Sequence, residues 1–249
     1  MNLSTTQLAQ TFSPYGEVVA AVLETLGASS AKADEREGND AREDGSHDGS
    51  HLIRVWRLVT EIAADESFVD LEMLAIATLL HDCVQIEKTD PRRAQASRLS
   101  AERASGILRT LGWTAERIAA TAHVIEAHSF SAGVAPQSRE ACVLRDADRL
   151  DAIGAIGIAR TFYVAGRTGS RLYDPLDPFA ASRGLDDRRF ALDHFETKLL
   201  RLTAGLTTPK AQRIGEQRIA TMRAYLDLLR DEISPSVRES FVGAAQFNR

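Results

Sequence analysis

Two cysteines, Cys83 and Cys142, occur in 249 residues. They make no disulfide scaffold, and a fold that needs none suits a reducing compartment. No run approaches the roughly 20 apolar residues of a membrane span. The first residues, MNLSTTQLAQTF, lack the basic start and apolar stretch of a secretory leader. Nor is there an excess of positive charge: the formal net charge is -5, which offers no global basic surface to nucleic acid while leaving room for a local basic pocket. There is no basic stripe and no aromatic platform for bases, with Phe, Trp and Tyr at 6%. Neither GxxxxGKS/T nor GxGxxG is found, so no glycine-rich phosphate loop is at hand. Alternating strand patterns are missing as well. These absences predict a cytoplasmic, soluble, all-α protein with neither a membrane nor a nucleic acid as partner.

What is present is helical spacing. Residues 14–28 carry it, and 29–50, dense in charge, Gly and Ser, reads as a loop whose 29–46 part is a flexible polar segment. From Ser50 onward the pattern is helical almost throughout. Leu52, Val55, Leu58, Val59 and Ile62 form one stripe over 51–66. Asp70 caps the apolar 71–82, expected to be the most buried helix. Further helices are predicted over 99–112, ending at Gly112, over 115–128 after Thr114, and as one long stretch over 141–166. The Gly- and Pro-containing 167–184 reads as loop, and helices over 186–205 and 209–232 complete the chain. The expectation is one all-helical domain over 1–249 with its core in 47–230 and no internal repeat.

Several polar residues stand where this pattern predicts hydrophobes. His51 shares the stripe of Val55 and Leu58, His81 and Asp82 end the run LEMLAIATLL, and Asp148 lies among Val143, Leu144 and Ile153. Burying such groups is unfavourable unless they are paired or bound to a metal. Two imidazoles and two carboxylates form a nitrogen and oxygen donor set suited to Mn, Fe, Zn, Ni or Co and, less comfortably, Mg. The residues alone leave two readings open. One is a metal site; the other is a chance HD dipeptide with a solvated charge run, DADRLD.

The order His51, then His81-Asp82, then Asp148 resembles the H…HD…D pattern of the HD-domain superfamily of metal-dependent phosphohydrolases. SHDGSHLIRV, TLLHDC, VIEAHSF, RDADRLDAIGAIGIARTF and HFETKLLRL are similar to the small, single-domain bacterial branch, some members of which cleave nucleoside triphosphates. The resemblance covers about residues 47–230. It implies an HD-domain helical bundle with a buried metal site in which His51, His81, Asp82 and Asp148 hold one divalent ion. Mn is the preferred metal, with Mg, Co, Ni, Fe or Zn as others. It departs at Gly49, where the family often has an aromatic residue, and in the length of 29–46.

The implied activity is metal-dependent hydrolysis of a small phosphorylated substrate. Cleavage of a (deoxy)nucleoside triphosphate to monophosphate and pyrophosphate by metal-activated water comes first. A 5'-nucleotidase or small-metabolite phosphatase is the alternative, ahead of a di-iron oxygenase or a non-catalytic ligand-binding protein. Asp82 would orient the water. Asp151, one helical turn after Asp148, would accept a proton or hold His128 or His81; the plainer reading pairs it with Arg149 or Arg145. His128 is expected to line the pocket, His123 to be packed or partly exposed, and His47 to belong to a loop or cap. Phosphate oxygens call for cations, with Lys88 and Arg54 first and Arg145 beside them. Tyr173, in YDPLDP, would wall a base or sugar with Phe195 beneath it. Gly154 and Gly157 suggest close helix packing. A homodimer is compatible with the apolar C-terminal helices.

Overall fold

The protein was analysed as a computed structural model, which describes residues 4–34, 49–86 and 90–233. His47, Lys88 and most of the 29–46 segment lie outside the described residues.

Ten α-helices organise the described residues. Helix α1 (Thr5–Thr11) starts with a capping box in which the Ser4 side chain and Gln7 satisfy each other's backbone donors. Helix α2 spans Gly16–Asp34. The helical spacing predicted for 14–28 therefore runs through 29–34, which the sequence assigned to loop; Ala, Lys and Asp there are compatible with helix. Helix α3 (Gly49–Ala63) buries Val55, Leu58, Val59 and Ile62 of the predicted stripe together with His51, while Leu52 is only half-buried.

Helix α4 (Leu71–Leu80) is capped by the Asp70 carboxylate, which accepts from the Met73 amide at 2.8 Å. Every residue from Met73 to Leu80 is buried, so this helix is the axis of the fold. Truncating a fully buried Leu such as Leu74 or Leu80 to Ala typically costs about 2–5 kcal/mol. Around it stand α5 (Ala96–Thr110), α6 (Ala115–His128) and α7 (Arg139–Asp151), with α3 packed on both α4 and α7.

The stretch 141–166 is not one helix. It breaks at Ala152–Ile153 into α7 and α8 (Gly154–Thr168). Gly154 sits at φ 79°, a left-handed conformation that disfavours a side chain. A Cβ there would come within 3.0 Å of Arg218 Cγ on α10 (Pro209–Ile233), so close approach of a neighbouring helix is realised at this glycine. The predicted helix over 186–205 also begins late and is interrupted. Only α9 (Asp193–Thr197) and a 3₁₀ segment, Leu199–Gly205, are helical. Residues ahead of α9 are drawn instead into a bridge between Arg171 and Phe190 and an ion pair of Arg183 with the buried Asp193. Tertiary contacts override local propensity in that segment.

Asp146 on α7 is fully buried and accepts from the amides of Thr207 and Thr208 and from the Thr208 hydroxyl, at 2.9, 2.7 and 2.8 Å. It thereby fastens α7 to the start of α10. No helix among the described residues is long and apolar enough to cross a membrane.

Candidate metal centre

His81 follows α4 directly and keeps helical torsions, φ -58° and ψ -33°. Its ring therefore reaches back to the carbonyl of Thr78, one of the acceptors a helix end leaves without a partner, at 2.8 Å from Nδ1. His128, the last residue of α6, repeats the device: its Nδ1 lies 2.5 Å from the Ile125 carbonyl. A carbonyl only accepts, so in both rings Nδ1 carries the proton and Nε2 presents a lone pair.

His51 reaches the same end by a long-range route. Its Nδ1 donates to Asp151 Oδ2 at 2.8 Å, across 100 residues of sequence. Asp151 is buried and receives three further bonds: Arg54 Nε at 2.7 Å on Oδ1, and Arg54 Nη2 and Arg160 Nη1, each at 3.1 Å, on Oδ2. Burial opposes the charge on Asp151. The hydrogen bonds of His51 and Arg54 and the charge of Arg54 outweigh it and hold the carboxyl well below the usual aspartate range.

Three Nε2 atoms and two carboxylates converge. His51 Nε2 lies 3.2 Å from His81 Nε2, and the two stand 3.6 and 3.8 Å from Asp148 Oδ1. His81 Nε2 is 3.7 Å from Asp82 Oδ2, and His128 Nε2 is 3.5 Å from Asp82 Oδ1. His51-His81-Asp148 and His81-Asp82-His128 are thus two overlapping triads of metal-competent donors that share His81. The rings are buried, whereas the Asp82 and Asp148 side chains are 27% and 28% exposed and form the open side. The sequence pattern marked these carboxylates as buried; the structure puts them at the mouth.

The donor set fits a divalent cation. Ligand atoms about 2.0–2.2 Å from an ion, at tetrahedral or octahedral angles, stand about 3.0–3.5 Å apart, near the spacings above. The His51–His81 approach is more telling. With both Nδ1 protons engaged, two neutral rings bring lone pair against lone pair at 3.2 Å, which a shared cation relieves. Burial lowers the His81 pKa, against the raising effect of Asp82 and Asp148, so the neutral, metal-binding form is favoured. On His128 burial also opposes charge, but the hydrogen bond and charge of Asp82 prevail and raise the pKa.

Other expected residues are placed as follows. Asp151 faces His51, not His128 or His81, and its arginines are Arg54 and Arg160, not Arg149 or Arg145. With both oxygens taken and its pKa depressed, it is unsuited to accepting a proton. Arg54 is spent on Asp151 and on Ser50 Oγ, at 2.8 Å, rather than turned to a substrate. Arg145 bonds the Gly205 carbonyl at 3.2 Å. His123 is partly buried, and its Nε2 accepts from the Gln137 amide at 2.9 Å. Tyr173 packs half-buried on the hydrophobic core, and Phe195 is fully buried against Tyr225. Sequence reasoning missed Arg160. It lies nine residues past Asp151 beyond the α7–α8 break, so no helical periodicity connects the two.

The HD domain family model matches residues 49–153, which contain every residue of both triads. The "Uncharacterized protein YpgQ" of Bacillus subtilis (strain 168) is 33% identical over 195 residues, 77% of this chain and 86% of that protein. The crystal structure of Bacillus subtilis YpgQ in complex with ADP superposes with a TM-score of 0.61 at 31% identity, covering 86% of this chain and 98% of the other. That of an HD-superfamily hydrolase from Bacillus thuringiensis gives a TM-score of 0.61 at 26% identity, covering 86% and 97%. With a cluster of metal-competent donors inside the matched region and a relative 33% identical over most of its length, the chain belongs to the HD-domain superfamily of metal-dependent phosphohydrolases.

Proposed function

We propose that the protein hydrolyses a phosphoanhydride of a nucleotide, converting a (deoxy)nucleoside triphosphate to monophosphate and pyrophosphate. The single observation that carries the nucleotide is that a relative 31% identical over 98% of its length was crystallised in complex with ADP. The donor cluster described above supports the metal dependence.

In this reading His51, His81, Asp82 and Asp148 hold one divalent ion, with Mn preferred. When bound, such an ion acidifies water and polarises a phosphoryl oxygen. The protein's own groups do the rest. Asp151 fixes the proton on His51 Nδ1, which keeps Nε2 available. Asp82, at the open side, uses an oxygen to orient the attacking water. His128 Nε2, 3.5 Å from Asp82 Oδ1, takes up the proton released as water attacks phosphorus and returns it to the leaving oxygen. The buried rings of His51, His81 and His128 behind these groups keep bulk solvent from the inner side of the donor cluster.

The test is product analysis by anion exchange. Manganese-loaded protein is incubated with ribo- and deoxynucleoside mono-, di- and triphosphates beside an Asp82→Ala control. Triphosphate converted to monophosphate and pyrophosphate only with Asp82 intact is the expected result. Release of inorganic phosphate from monophosphates would select a 5'-nucleotidase instead, and no turnover of any nucleotide would end the assignment.

A further inference from the structure

With Arg54 committed to Asp151, the polyphosphate of the proposed substrate needs its cations from elsewhere. Helix α7, which carries Asp148, also supplies a pair. Arg145 and Arg149 are one turn apart and share a face. Arg145 Nη2 and Arg149 Nη1 both donate to one neutral oxygen, the Gly205 carbonyl, at 3.2 and 2.6 Å. Neither forms an ion pair among the described residues, and the Nε of each is shielded from solvent with no hydrogen-bond partner. Two like charges drawn onto one carbonyl, with buried donors unmatched, are unfavourable as they stand. An anion that accepts from the Nη groups of both would balance the like charges.

A second feature adjoins the pair. Phe130, two residues after His128, is 84% exposed, and the Arg149 guanidinium carbon lies 5.6 Å from its ring centroid. An open aromatic ring just past His128 and two guanidinium groups on the helix of Asp148 thus lie together, and Arg149 is close enough to Asp148 to feel its charge. Gly205 is fitted to the arrangement, because a Cβ there would collide with Arg149 Nη1.

We propose that Arg145 and Arg149 form an anion subsite beside the metal centre that takes the non-reacting phosphates of the nucleotide, with Phe130 as the stacking surface for its base. The proposal rests on the nucleotide reading above. Guanidinium forks match phosphate oxygens two at a time, and an aromatic face accepts any base without selecting its identity. The Gly205 carbonyl holds the two forks in place before the ligand arrives.

The experiment is calorimetric titration of manganese-loaded protein with ADP, inorganic pyrophosphate and adenosine. Wild type is compared with Arg145→Gln, Arg149→Gln, Gly205→Ala and Phe130→Ala. Each arginine variant is expected to weaken ADP and pyrophosphate by about tenfold, the loss of a charge-assisted bond, and to leave manganese affinity and adenosine unchanged. Gly205→Ala displaces Arg149 without removing charge and is expected to act in the same direction, so the test survives if a glutamine variant does not fold. Phe130→Ala should weaken ADP and adenosine but not pyrophosphate. Arginine and Gly205 variants that bind ADP like wild type would overturn the subsite and leave the nucleotide reading standing. A parallel loss of manganese affinity would overturn it too, by showing that the pair acts through Asp148. A wild type that binds neither ADP nor pyrophosphate would remove the nucleotide reading and the subsite together.

Discussion

The histidines of the metal centre are held in two different ways. His81 and His128 are each fixed by a carbonyl three residues back in their own helix. His51 is fixed by Asp151, 100 residues away, which is itself gripped by Arg54 and Arg160. The first arrangement is local and robust, since a helix end always leaves carbonyls to be satisfied. The second exists only when α3, α7 and α8 are assembled. It teaches that one cluster can combine two self-orienting histidines with one whose orientation depends on the tertiary fold.

That comparison can be tested by breaking its parts. His81→Ala removes the donor common to both triads and is expected to lower hydrolysis by about 10³-fold or more; it should also abolish metal retention through dialysis, checked by elemental analysis. Asp151→Asn leaves every proposed ligand in place but turns or mis-protonates the His51 ring. Metal affinity should fall by about 10–100-fold, read by competition with a chelator. Unchanged affinity would show that His51 needs no outside hold. Arg160→Ala takes one of the four bonds from Asp151 while both Arg54 bonds persist, so a loss of about threefold is expected in the same assay.

A pH experiment sharpens the contrast further. The folded pKa of Asp151 is depressed, so its contribution to stability is present above the ordinary aspartate value, about 3.9, and is lost as pH falls below that value. Urea melts of metal-free protein between pH 5 and 3 should show stability falling with pH. The Asp151→Asn protein should show a shallower slope, and equal slopes would mean that the depressed pKa contributes nothing to folding.

The legibility of the site follows the same division. His81-Asp82 could be read from LEMLAIATLLHD because an apolar run that ends on two polar residues places them at a helix end. His51 could be read from its stripe. The role of Asp151 was half legible: its spacing from Asp148 marked the right helix, but the partner it faces is set by how α3 crosses α7. Asp146 shows the limit most directly. Three acidic residues lie within DADRLD, and only tertiary contact distinguishes Asp146, which fastens Thr207 and Thr208, from Asp148 at the mouth of the cluster.

By itself, then, the sequence determined the all-helical class and the axial helix α4 and marked His51, His81 and Asp82 as polar residues out of place on apolar faces, because periodicity and helix-end chemistry act over a few neighbours. Tertiary structure alone decided that α7 and α8 break apart at Ala152–Ile153, that Arg54 and Arg160 serve Asp151, and that Arg145 and Arg149 meet on the Gly205 carbonyl. Those outcomes depend on which surfaces meet once apolar faces are buried, and side chains distant in sequence acquire their partners only at that step.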